Sequence, residues 1–474
     1  MARSADAIAE ASARAESIRM IVPHPFQVND MDAIRQHFRT GRKSVLWYLP
    51  TGGGKSLSTA FMLQSACQRN RTAWFVVHRR ELIRQTEHTF QMAGLDYDVI
   101  AAGLPTRQRA VQICAVQTLV NRLDRLAAPH LVIWDECQHQ AANTWRKVFE
   151  HCRNSFHIGL SASPHRLDGS GLSEFYDVMV RGPSVRWLID NGYLCDFRVF
   201  APPTADTSGL HIRAGDYITA ESTELMDKPK ITGSAIEEYK KLAHGKQALV
   251  FACSVQHSEH VAAHFRANGI PALNVTGTMA NEIRDGIFAD FEARRIQVLV
   301  NVDLATEGVS INNIECVILL RPTASLVHYV QSVGRGLRTY PGKKELLILD
   351  HVGSTQRFGL IDEEREWSLA GREVKRRTTP QEVNIRICPK CYAASHARAL
   401  TCKECGYVHV AEGRKVEEVE GELVEIQAAH HRREVRREQG QAATLEQLIA
   451  IGQARGYANA GYWARRVMDG RKRA

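Results

Sequence analysis

Short apolar runs rich in β-branched and aromatic residues recur along this chain between longer segments of helical character, and each run ends in a polar or glycine-containing turn. Runs this short that are apolar on both faces read as buried parallel strands, and parallel strands need a crossover, usually a helix, between successive members. The first series covers Ser44 to Leu49, Ala73 to His78, Val111 to Val116, Leu131 to Trp134 and His157 to Leu160. The second covers Ala248 to Cys253, Ala272 to Val275, Val298 to Val302, Cys316 to Leu320 and Leu346 to Leu349. An α/β chain with two parallel sheets in tandem is expected. At the usual ~100 to 200 residues per domain, such a pair leaves room for smaller modules in a chain of 474 residues.

Composition narrows the class without identifying a function. Hydrophobic residues make up 44% and charged residues 24%, near the globular average, which excludes a disordered or coiled-coil chain. Charges interrupt every apolar run before the ~18 to 20 residues of a membrane span, so no membrane association is expected. The segment Met1 to Met20 carries Asp6, Glu10 and Glu16 and has no apolar core, and it reads as a leader helix rather than a signal peptide. Of 11 cysteines only four cluster, which suits a reducing, cytoplasmic compartment better than a disulfide framework. The net charge of +9 favours a polyanionic partner.

Two motifs on the first series carry chemistry. Leu49-Pro50-Thr51-Gly52-Gly53-Gly54-Lys55-Ser56 follows a predicted strand and opens a predicted helix. In that setting glycines let backbone amides face phosphate oxygens, and the helix N-terminus adds a positive dipole end. Lys55 is expected on the β and γ phosphates of ATP and Ser56 on Mg²⁺. Leu49 stands where the general phosphate-loop pattern has its first glycine. The run Leu131 to Trp134 delivers Asp135-Glu136-Cys137-Gln138 to the carboxyl end of a strand, where open α/β sheets place ligands. There Asp135 would hold Mg²⁺, and Glu136 would orient or deprotonate the attacking water.

With these motifs in order, the chain from about Phe26 through Asp350 resembles the superfamily 2 helicases and translocases. Within them it is most similar to the DECH-type group with RadD-like bacterial and phage repair helicases, whose chains carry a C-terminal zinc ribbon. The resemblance implies two tandem RecA-like lobes with ATP between them. It places Gln27 of Pro25-Phe26-Gln27 on the adenine. Val77 to Gln85 is similar to motif Ia, and Ala115 to Leu119 to the motif after it. Ser161-Ala162-Ser163-Pro164-His165-Arg166 resembles motif III, Thr306 to Ser310 motif V, and Gln331 to Arg338 motif VI, from which Arg335 and Arg338 take the arginine-finger role. Two departures stand out: Gln138 replaces the usual His of the acidic box, and Ser310 replaces a common Asp, with Asn312 where Pro is frequent.

Beyond the lobes, Cys388-Pro389-Lys390-Cys391 and Cys402-Lys403-Glu404-Cys405 form two CxxC knuckles, the residue set for tetrahedral Zn²⁺ with no open position. A zinc ribbon that helps grip nucleic acid, through neighbours such as Lys390, Arg398, Lys403 and Tyr407, and a structural clip are equally compatible with that spacing. His396 and His409 read as surface residues. The expected divisions are a leader over 1–22, a first lobe over 23–200, a connection over 201–230 and a second lobe over 231–360. A charged linker over 361–384, a zinc ribbon over 385–412 and a tail over 413–474 follow, with a helix from Leu445 to Gln453. Basic residues of the tail (His430 to Arg433, Arg436, Arg437, Trp463 to Arg466) could add phosphate contacts.

The resemblance implies an ATP-dependent helicase or translocase on single-stranded or branched DNA in repair, recombination or replication. Its rivals are a DNA-structure-binding ATPase that recruits partners without unwinding, and an RNA helicase. A monomer near the nucleoid of a bacterial or phage-infected cell is expected, with a single-stranded-DNA-binding or recombination protein as partner.

Overall fold

The computed structural model describes residues 22–78, 80–107, 109–166, 171–201, 207–213, 215–302, 311, 313–370, 385–409, 442, 444–454 and 460–471. The predicted leader through residue 21, Thr306 to Ser310, Asn312 and the basic tail residues His430 to Arg433, Arg436 and Arg437 lie outside them. Among the described residues no helix is long and apolar enough to cross a membrane.

Two parallel sheets follow one another, each the centre of a RecA-like lobe. The first contains β1 (Ser44–Tyr48), β2 (Ala73–Val77), β3 (Asp98–Ile100), β4 (Val111–Ala115), β5 (Leu131–Trp134), β6 (Phe156–Ser161) and β7 (Val178–Arg181). Their order is β3-β4-β2-β5-β6-β1-β7, with every pair parallel. Alternate residues of β1 serve different cores: Val45 and Trp47 pack with Phe75, Val77 and Ile133, whereas Leu46 packs with Trp74, Val76 and Trp134. Burial on both faces is the reason these strands read as unbroken apolar runs.

The second sheet is six-stranded and begins with β8 (Asp196–Phe200). A hairpin of β9 (Ile212–Arg213) and β10 (Asp216–Tyr217) comes next, outside that sheet. It is held to the lobe by Asp216, which accepts hydrogen bonds from Thr323 Oγ1 at 2.9 Å and the Ala324 amide at 2.7 Å. The sheet continues with β11 (Ala248–Phe251), β12 (Ala272–Val275), β13 (Val298–Asn301), β14 (Cys316–Leu319) and β15 (Glu345–Asp350), in the order β12-β13-β11-β14-β15-β8. Asp196–Phe200 thus falls in the expected first lobe but pairs in parallel with β15 of the second. The expected strand Val111 to Val116 also ends one residue early, because Val116–Leu119 turns into a short helix.

The cysteine module docks on that crossover. Its strands β16 (Ile385–Ile387) and β17 (Ala394–His396) pair antiparallel. Ala393 bridges to Phe200, and the Ala201 amide donates to the Tyr392 carbonyl at 2.9 Å. Arg198 binds Glu345 of β15 and also Glu404 of the module at 2.7 Å. An edge strand needs its open side covered, and the module covers β8. The described residues beyond His409 belong to a second compact unit. Its described part is a pair of helices, Leu445–Ala454 and Ala460–Arg471, packed through Leu448 and Ala464.

Candidate active site

The loop Leu49 to Gly54 leaves the end of β1 and enters the helix Lys55–Cys67. Gly52 and Gly54 have φ of 87° and 84°, the left-handed region that side chains rarely adopt. Space is as restrictive as angle: a Cβ on Gly52 would sit 2.7 Å from Leu194 Cδ2, and one on Gly53 2.6 Å from Leu49 Cγ. The bare backbone therefore forms a cradle at the positive end of a helix, a fit for phosphate. Gln27, buried in the first turn of the helix Pro25–Arg39, ties that helix to the loop. Its Nε2 donates to the Gly53 carbonyl at 2.9 Å, and its Oε1 accepts from the His24 amide at 2.9 Å. Lys55 Nζ donates to the Leu49 carbonyl at 2.8 Å, and Ser56 is exposed on the first helical turn.

Asp135 and Glu136 follow β5 directly, and Glu136 holds a left-handed φ of 47° that redirects the chain into the 3-10 turn Cys137–Ala141. Gln138 Nε2 donates to Glu136 Oε2 at 2.8 Å, while Ser161 Oγ donates to Gln138 Oε1 at 2.8 Å. Ser161 Oγ in turn accepts from the Ser163 amide at 3.0 Å. The residue that departs from the usual box therefore joins the acidic pair to the segment after β6. An amide suits this because one end donates to a carboxylate while the other accepts from a hydroxyl.

From the second lobe, the helix Leu326–Gly336 brings Arg335, with Arg338 just beyond it. Thr51 lies against this helix, since a Cβ on Gly334 would come 2.8 Å from Thr51 Cβ. The charges meet in one place. Burial lowers the Lys55 ammonium below its usual range; Glu136 and Asp135 pull it back up, and Arg335 and Arg338 push it down. Burial and the Glu136 charge push the Asp135 carboxyl up to about 7, against the pull of Lys55 and Arg335. Burial, then Arg335, lowers Arg338 to about 10. Two carboxylates, one ammonium and two guanidiniums from both lobes thus share one electrostatic environment, a charge set suited to a phosphoanhydride.

The cysteine module presents Cys388, Cys391, Cys402 and Cys405 with their sulfur atoms all within 4.8 Å of one another. The Cys388–Cys405 and Cys391–Cys402 separations are both 3.6 Å, too long for a disulfide. They approach the roughly 3.8 Å edge of a tetrahedron with ~2.3 Å Zn–S bonds. His409, expected at the surface, is instead buried beside Tyr407, and it is not part of the sulfur group.

Fold and site together define a P-loop nucleotide hydrolase with two RecA-like lobes. Residues 20–166 match the family described as Type III restriction enzyme, res subunit, and residues 229–340 match the helicase conserved C-terminal domain. A 51.5 kDa protein of a Lactococcus phage (isolate 7-9) is 32% identical over 414 residues, covering 87% of this chain and 89% of that protein. Irc3 of Saccharomyces cerevisiae, named for ATP-dependent helicase activity, is 30% identical over 353 residues, 70% of this chain and 51% of its own length. The chain spans about half of that relative. A solved HsdR-type fragment of a type I restriction enzyme from Vibrio vulnificus aligns with a TM-score of 0.58 at 22% identity, over 72% of this chain and 66% of that one. The DEAD-box helicase Mss116 bound to single-stranded RNA aligns with a TM-score of 0.51 at 15% identity, over 71% of each chain, a likeness of fold alone. A res-subunit domain followed by a helicase C-terminal domain, in one chain, supports a superfamily 2 helicase.

Proposed function

We propose that the chain is an ATP-driven DNA helicase or translocase of the RadD-like kind, acting on single-stranded or branched DNA in repair, recombination or replication. The observation that carries this reading is the meeting of Lys55, Asp135 and Glu136 with Arg335 and Arg338 across the lobes. In it Gln27 reads the adenine, and Pro50 through Gly54 with Lys55 hold the phosphates. Ser56 and Asp135 would hold Mg²⁺, which shields the phosphate charge when bound. Glu136, aimed by Gln138, takes the proton of the attacking water. Arg335 and Arg338 act only when the lobes close, so hydrolysis is tied to movement of one lobe against the other. Zn²⁺ suits the four thiols, and its role is to hold the two knuckles together. A monomer at the nucleoid, working with a single-stranded-DNA-binding or recombination protein, completes the proposal.

Steady-state ATPase of the wild type, Lys55→Ala and Glu136→Gln is measured with single-stranded, duplex, forked and junction DNA, and with RNA of matched sequence. DNA-stimulated hydrolysis lost in both variants is expected. Full activity in either variant sinks the site assignment. Stronger stimulation by RNA makes the chain an RNA helicase, and DNA-stimulated hydrolysis without strand separation makes it a structure-binding ATPase.

A further inference from the structure

The charged run after the second lobe is not a free linker in its first part. After β15 and the helix Ser354–Phe358, the chain crosses back to the first lobe and is anchored there at Asp362 and at Trp367 to Leu369. Buried Asp362 accepts from Arg186 Nε at 2.9 Å and Nη2 at 2.5 Å, on the helix Val185–Asp190. Arg365 donates to the carbonyls of Leu360 at 2.9 Å, Glu363 at 3.0 Å and Ile361 at 3.1 Å, which stiffens the turn. Trp367 is 3% exposed, with its ring 4.8 Å from His165 and 5.8 Å from Tyr48, and its carbonyl accepts from Arg181. His165 Nε2 lies 3.2 Å from the Ser368 carbonyl oxygen. The Leu369 carbonyl accepts from the amides of Leu172 at 2.8 Å and Ser173 at 2.9 Å.

The two rings around Trp367 sit at informative places. Tyr48 ends β1, which delivers the phosphate loop, and His165 lies two residues beyond Ser163 of the Gln138–Ser161 relay. We propose that Asp362 to Leu369 is a tether by which the second lobe holds the phosphate-loop and Ser161–Ser163 exits of the first, with Trp367 as the positioning residue for lobe closure. The lobes are then joined twice, by the crossover into β8 and by the tether. Both joins lie at the β6, β1 and β7 side of the first sheet, whereas β2 lies at the other. Beyond β2, the exposed pair Arg84–Asp285 spans the lobes, and exposed ion pairs contribute little. Opening therefore swings about the tethered side, with its mouth at Arg84 and Asp285.

The inference rests on the ATPase reading only for its kinetic arm. Dyes are placed through genetically encoded residues at exposed Met92 and Ile283, one on each lobe, and inter-lobe distances are read by single-molecule energy transfer without nucleotide. Trp367→Ala is expected to shift the distribution to longer distances, and Trp367→Phe to restore it. In parallel, ATPase without nucleic acid should fall about fivefold in Trp367→Ala, while kcat at saturating nucleic acid stays within about twofold, because the bound strand restores closure. Should Trp367→Ala fail to fold, Asp362→Ala removes the acceptor of Arg186 and should move the distances the same way. A distance distribution unchanged in the folded variants overturns the tether. A wild type without ATPase activity refutes the helicase reading alone, since the distance measurement needs no hydrolysis.

Discussion

Replacing Gln138 with Leu keeps the side chain's bulk and removes both of its hydrogen bonds, to Glu136 at 2.8 Å and from Ser161 at 2.8 Å. A bond to a charged acceptor is worth about 1.5–3 kcal/mol. If Glu136 acts on water only in the transition state, that loss falls on kcat, and at about 1.4 kcal/mol per tenfold it predicts a drop of roughly 10- to 100-fold. Ser161 Oγ loses its acceptor in a buried setting, which adds about 1–3 kcal/mol of destabilisation and a lower melting temperature. Nucleotide affinity should hold within about twofold, because the two bonds lost are not to the phosphate loop. The assay pairs steady-state ATPase at saturating nucleic acid with titration of a fluorescent ATP analogue. Ser161→Ala should show the same pattern more weakly, one link further from Glu136. A kcat within twofold of wild type, or a matching loss of nucleotide binding, would refute the view that Gln138 aims the carboxylate.

Gly54→Ala forces a side chain into a φ of 84° and its Cβ into Gln27, so nucleotide affinity should fall at least about tenfold; an unchanged fluorescence titration contradicts the cradle. Burial pushes the Asp30 carboxyl up to about 6, opposed by a hydrogen bond from Trp47 Nε1 at 2.9 Å. The folded chain then holds more protons than the unfolded one between about pH 4 and 6, so this group costs stability as pH rises through that window. Asp30→Asn should raise the melting temperature at pH 8 by the equivalent of about 1 kcal/mol, after discounting for solvent screening, and change nothing at pH 4; an equal effect at both pH values contradicts it. Elemental analysis should find about one zinc per chain, and Cys402→Ser should abolish it and lower the melting temperature. A zinc-free, equally stable wild type rejects the metal.

The central strands were legible because they are covered on both faces, and such strands are apolar at every position. Within the two large sheets the segments not foreseen, Asp98–Ile100, Val178–Arg181 and Asp196–Phe200, are β3, β7 and β8, each at the edge of its sheet. Edge strands pair on one side only and tolerate polar residues, so Asp196 and Arg198 hid the last of them. The phosphate loop and acidic pair could be read because each is a run of neighbours with local geometry. Gln138 was visible only as a departure, since its partner Ser161 is distant in sequence and adjacent only through the pairing of β5 with β6.

Sequence alone determined the two-sheet α/β class, the order of its chemical groups and the four-thiol set, because periodicity and short-range spacing are written along the chain. Tertiary structure decided which lobe owns β8, what the cysteine module covers and where Trp367 goes. Those outcomes depend on edges and surfaces meeting at long range, where a buried ring or a paired strand is chosen by its neighbours in space.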